Sequence, residues 1–119
     1  MKNVEKSSRQ LKVANLIQQS LVEIFARGRK LDLYLIENKI TITNVEVSQD
    51  LKHANCYFLP FGTNIDSKKI LDALDSSKFA IRHQVTETIN MKFSPELKFF
   101  YDKGLENAIE VESVLKKVL

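Results

Sequence analysis

The order of three segments in the second half of the chain constrains the fold more than any other feature. Residues 54–61 are apolar at nearly every position, a helical stripe of Ile70, Leu74, Ile81, Val85 and Ile89 follows, and Leu97, Phe99 and Tyr101 then alternate with Glu96, Lys98 and Phe100. Strand, long helix and strand in that order make a β-α-β unit, and its right-handed crossover sets the two strands parallel. The densely apolar first strand predicts a buried, central position that ends at Pro60.

The neighbouring segments complete this unit. Ile40 to Val47 is β-branched and alternating, with its apolar phase moving at Thr43-Asn44, so it predicts an antiparallel hairpin partner with a bulge. Ser48-Gln49-Asp50 is the turn between the two strands. Upstream, Ser7 and Gln10 have capping-box spacing, and Val13, Ala14, Ile17, Leu21, Ile24 and Phe25 form one helical stripe that stops near Gly28. Residues 29–38 are apolar without a clean period and are expected to be a loop or a short strand. Asp66 caps the long helix, which is expected to kink at Ser76-Ser77, where the aliphatic stripe lapses. Ala108, Val111, Leu115 and Val118 predict a terminal helix.

The expected fold class is therefore α+β, with the order helix, strand, strand, kinked helix, strand, plus a C-terminal helix. A three-stranded mixed sheet packs on helices, and its other face stays open or takes an added terminal segment. A chain of 119 residues suits one domain. We expect a tail over residues 1–6, the domain over 7–103 and a helical extension over 104–119.

Several chemistries are disfavoured. One cysteine, Cys56, allows no internal disulfide and suits a reducing compartment. Three glycines and no GxxxxGK[ST] or GxGxxG argue against a nucleotide cradle. With no signal-like or membrane-spanning apolar run, the expectation is a cytoplasmic protein with no membrane association. His53 and Cys56, three apart in one strand, point to opposite faces, which argues against a base–nucleophile pair and for a core cysteine beside a surface histidine. His53 and His83 lack metal-ligand spacing, and Asp50, Asp66, Asp72 and Asp75 suit turns, caps and a solvated face. No cofactor, metal or small-molecule substrate is expected. Most aromatic residues fall on core positions, leaving Tyr57, Phe61 and Phe100 as candidates for an exposed stacking surface.

Eighteen Lys and Arg oppose fifteen Asp and Glu, a net charge of +3 that identifies no partner. Its distribution is more informative: residues 1–30 hold seven basic and two acidic side chains, whereas residues 31–51 hold one and four. Arg9 and Lys12 share one surface of the first helix, Arg27, Arg29 and Lys30 cluster at its far end, and Lys78, Arg82 and His83 follow the expected kink. Such basic residues suit phosphate binding and also suit an ordinary solvated helix.

Arg9-x-x-Lys12-Val13-Ala14, the block from Thr43 through Val45-Glu46-Val47-Ser48-Gln49-Asp50-Leu51-Lys52-His53-Ala54, then Ala73-Leu74-Asp75-Ser76, Ile81-Arg82 and Pro95-Glu96-Leu97-Lys98-Phe99-x-x-Asp102 resemble the bacterial ribosome-binding factor A family. The resemblance runs over roughly residues 7–115, and the block around Asp50 is its most specific part. It implies a KH-like domain of type II and a non-enzymatic, monomeric, cytoplasmic assembly factor. Such a factor binds the small ribosomal subunit, helps its rRNA mature and supports growth in the cold. The single-strand grip of related KH domains uses a GXXG loop, which is missing here. The family's helix-kink-helix has an Ala-x-Gly element whose matching positions are Ser77 and Phe79.

The expected mechanism is docking of basic side chains on structured rRNA, through Arg9, Lys12, Arg29, Lys30, Lys52, Arg82 and Lys92. Of these, Arg9, Lys12, Lys52 and Arg82 fall in matched motifs. Asp50 is expected chiefly to close its turn. The alternative is a KH-like module that binds another protein without direct RNA contact, and the third reading is an enzyme that depends on Cys56.

Overall fold

The first helix begins where the sequence places its cap. In the computed structural model, which describes residues 6–62, 65–90 and 95–104, Ser7 and Gln10 form a reciprocal capping box at the start of α1 (Ser8–Arg27). Gly28 ends the helix in the left-handed region, at φ 72°, and its N–H donates to the Ile24 carbonyl. Val13, Ile17, Leu21, Ile24 and Phe25 are buried along one stripe, as expected. The terminal helix predicted over 108–118 lies outside the described residues.

The sheet has the order β1 (Ile40–Val47), β2 (His53–Pro60), β3 (Glu96–Tyr101), with β2 antiparallel to β1 and parallel to β3. Pairing moves from Ile42 with Phe58 to Asn44 with Tyr57. Thr43 is thus the additional residue that the phase change announces, and Ile40, Ile42, Val45 and Val47 all reach the core. On β2, Ala54, Cys56 and Phe58 are fully buried. They pack under α1 and α4 (Lys78–Ile89), whose Ile17, Leu21, Ile81 and Val85 complete the core. Each such large side chain contributes about 1.5–3 kcal/mol of burial.

Because β1 is an edge strand, its outer carbonyls need partners other than a ladder. Two glutamines of α1 supply them: Gln10 Nε2 donates to the Val47 carbonyl (3.0 Å) and Gln18 Nε2 to the Ile42 carbonyl at the bulge (3.3 Å). The helix is thereby held along the edge at two points.

Two local expectations are resolved. Residues 29–38 form neither a simple loop nor a strand. They contain α2 (Leu33–Glu37), capped by Asp32 Oδ1, which accepts the Tyr34 N–H at 2.9 Å. Leu31 and Leu35, one turn apart, are buried, whereas Leu33 and Ile36 are exposed. Five residues are too few to display a period, which is why the segment gives no helical signal. The long helix does break, into α3 (Ser67–Ser76), capped by Asp66, and α4, with Ser77 between them at φ −97°, ψ −1°. No left-handed residue is needed there, so the kink forms without a glycine. It is held from outside: Ser77 Oγ accepts the Asp32 N–H (2.8 Å) and Ser76 Oγ donates to Asp32 Oδ2 (3.0 Å).

Ser77 is buried, and its loss orphans the Asp32 N–H. Ser77→Ala is expected to lower stability by about 1–3 kcal/mol in urea unfolding, with a folded far-ultraviolet spectrum retained.

Candidate nucleic-acid interface

The basic side chains divide between the two ends of the molecule. Arg9 and Lys12 are exposed on the first turns of α1. The Gln10 contact with Val47 sets that end beside the close of β1, from which the turn to Lys52 continues. The Lys52 carbonyl in turn accepts the Glu96 N–H at the start of β3. Arg9, Lys12 and Lys52 therefore belong to one end. Its charge is mixed, since Lys6 pairs with Glu46 there at 4.0 Å.

Arg29 and Lys30 occupy the other end. Arg27 lies about 27 Å along the helix from Arg9 at a rise of roughly 1.5 Å per residue. Gln84 Nε2 donates to the Arg29 carbonyl at 3.0 Å, fixing the 28–30 turn against α4. Arg82 lies on the same turn of α4 as His83, which lines a cleft with Arg27, Arg29 and Lys30. Lys92 lies outside the described residues. The six described contacts thus divide between the two ends of α1. The contributions of Gln84 and Glu87 beside the basic turn are invisible in the sequence, because tertiary packing alone brings them there.

The aromatic candidates also separate. Tyr57 and Phe100 are partners across β2 and β3, their rings 5.6 Å apart on the sheet face away from the helices. Burial, together with Glu46, pushes the Tyr57 hydroxyl up from its ordinary pKa. Phe61 is exposed beyond β2, beside α1 and β1. Sequence reasoning misses Phe79, which is 77% exposed just after the kink, with Lys78 Nζ 5.8 Å from its ring centre.

Chemistry at Cys56 and His53 has no geometry to support it. Cys56 is buried on the helix side of β2 and His53 is exposed. Burial pushes the thiol up to about 12, far from a nucleophilic thiolate. Among the described residues no three His, Cys, Asp or Glu side chains gather as a metal would require, and no helix is long and apolar enough to cross a membrane.

Asp50 closes its turn as expected. One carboxylate oxygen accepts from Ser48 Oγ (2.6 Å) and from the Lys52 N–H (3.0 Å), while Ser48 Oγ accepts the His53 N–H (3.0 Å). Leu51 takes a left-handed conformation, φ 63°, inside this small network. The Ser48 hydroxyl, followed by the Lys52 N–H, holds the carboxyl below its ordinary 3.8.

The sequence profile of the family described as ribosome-binding factor A matches residues 9–115. A ribosome-binding factor A of Rickettsia felis is 53% identical over 112 residues, covering 94% of this chain and 93% of its own. Among solved structures, the crystal structure of ribosome-binding factor A from Thermus thermophilus superposes with a TM-score of 0.65 at 18% identity, over 77% of this chain and 94% of that one. A homology model of Thermus thermophilus ribosome-binding factor A, as fitted into the cryo-electron-microscopy map of a 30S complex, gives a TM-score of 0.58 at 17% identity, over 81% of this chain and 93% of that one. These likenesses agree with the KH-like α+β fold.

Two outcomes test the local chemistry. The folded Asp50 carboxyl titrates below its unfolded value, so its stabilisation is present above pH 3.8 and disappears as pH falls through the lower folded pKa. Asp50→Asn should therefore be less stable than the parent in urea at pH 7, with the difference closing below 3.8. Cys56 should resist iodoacetamide at pH 8 in the native state and react on unfolding, as followed by mass spectrometry.

Proposed function

The chain belongs to the ribosome-binding factor A family, and from that membership we propose that it binds the small ribosomal subunit and assists its late assembly and rRNA maturation. The family match over residues 9–115 is the observation that carries this reading. Its Thermus fold relative in a 30S complex supports the same partner. The protein acts in the cytoplasm as a monomer, makes or breaks no bond, and supports growth in the cold. Residues 7–103 are the binding domain.

Docking is electrostatic. Lys and Arg neutralise rRNA phosphates and release counterions, while shape and not base edges sets specificity. Arg9, Lys12 and Lys52 at one end, and Arg29, Lys30 and Arg82 at the other, are the described contacts, with Lys92 as a further one. Two separated clusters suit a partner with a surface broad enough to meet both, as structured rRNA has. The buried thiol and the opposed His53 and Cys56 favour this over a catalytic role.

Cosedimentation with purified small subunits tests the proposal. Binding should weaken several hundredfold between about 50 and 200 mM salt if roughly five phosphates are neutralised. Absence of binding at the lowest salt would refute it, and salt-insensitive capture of a protein partner without rRNA would replace it with a protein-interaction module.

A further inference from the structure

We infer that the cleft between the end of α1 and the second half of α4 is a seat for the phosphodiester backbone of an RNA strand, built by Arg27, Arg29, Lys30 and His83. This deepens the docking proposal and rests on it.

The cleft has a volume of about 410 Å³ and is lined by Arg27, Arg29, Lys30, His83, Gln84, Glu87 and Thr88. Only one lining side chain, Glu87, is acidic, and it faces His83 at 3.4 Å. Three permanent cations therefore meet one carboxylate. Among the described residues, none of the three has an ion-pair partner.

An ordinary structural role does not account for them. Basic residues at a helix C-terminus usually answer its negative end. Here that need is met from elsewhere: Lys39 Nζ donates to the Phe25 and Ala26 carbonyls at 3.1 and 3.3 Å. Arg27, Arg29 and Lys30 are left to face solvent. Lys39 also removes the local negative potential that would repel an anion from this end of α1.

The turn that displays the cations is fixed at both sides. Gly28 and Lys30 both take left-handed conformations, at φ 72° and 58°. Gln84 holds the Arg29 carbonyl, and Ser77 Oγ holds the Asp32 N–H just beyond. On α4, Thr88 Oγ1 donates to the Gln84 carbonyl at 2.9 Å. A backbone tied in this way has little left to order on binding, so the ordering cost falls on the basic side chains alone. Guanidinium forks match phosphate oxygens in pairs, and the open cleft has room for more than a single phosphate. Those features favour a passing chain of phosphates over one free anion.

The test compares the full-length parent, the triple variant R27Q/R29Q/K30Q and E87Q in binding to purified small subunits over a salt series, after checking each fold by circular dichroism. The triple variant should bind roughly a hundredfold more weakly at low salt, with a salt slope smaller by about two to three. E87Q should bind several-fold more tightly, which a merely unfolded or loosened protein would not do. Parent binding that neither variant alters overturns the cleft while leaving small-subunit docking intact. A parent that fails to bind at low salt overturns the docking proposal itself. Binding of inorganic phosphate to the free parent but not to the triple variant, with small-subunit affinity equal in the two, would assign the cleft to free phosphate and overturn the polyanion seat.

Discussion

The burial of Ala54, Cys56 and Phe58 on one face of β2 is the constraint on which the rest of the structure depends. A central strand with both neighbours paired can deliver its apolar face only to helices above it. The parallel return to β3 obliges the chain to cross that face by α3 and α4, and the remaining width is filled by α1. The bulge at Thr43 belongs to the same requirement. Without one additional residue, Val45 and Val47 would follow Ile40 and Ile42 on the wrong side of β1.

Polar contacts then place what packing leaves free. Gln10 and Gln18 set α1 along the β1 edge, and Ser76 and Ser77 seat Asp32 against the break between α3 and α4. Each contact is worth only about 1 kcal/mol net, so none of them builds the fold. Their effect is positional: together they decide that the 28–30 turn lies over α4 and not out in solvent.

Legibility in the sequence follows this division of labour. The Ser7–Gln10 box, the α1 stripe, the phase change at Thr43-Asn44 and the lapse at Ser76-Ser77 are all visible, because burial imposes periodicity on residue type. Helix α2 is not, since two buried leucines one turn apart define no period. Nor can Lys39 be matched to the last carbonyls of α1, or Gln84 and Glu87 to Arg29 and Lys30. Those pairs are distant in the chain, and a polar side chain that reaches a backbone carbonyl or faces a surface cleft imposes no periodicity on residue type. The same reason explains why the basic residues read as one front-end excess while the molecule separates them by the length of a helix. The family resemblance supplies the partner that charge alone cannot.

The glycine-free kink has an evolutionary corollary. Since Asp32, on another element, enforces the bend, the residues around it are released from any backbone duty. A position that must be glycine can have no side chain, whereas Phe79 shows a bulky ring displayed at the corner with the main chain undisturbed. The corner thus becomes a place where surface identity can diversify between species at almost no architectural penalty, provided that the serine pair and its aspartate persist.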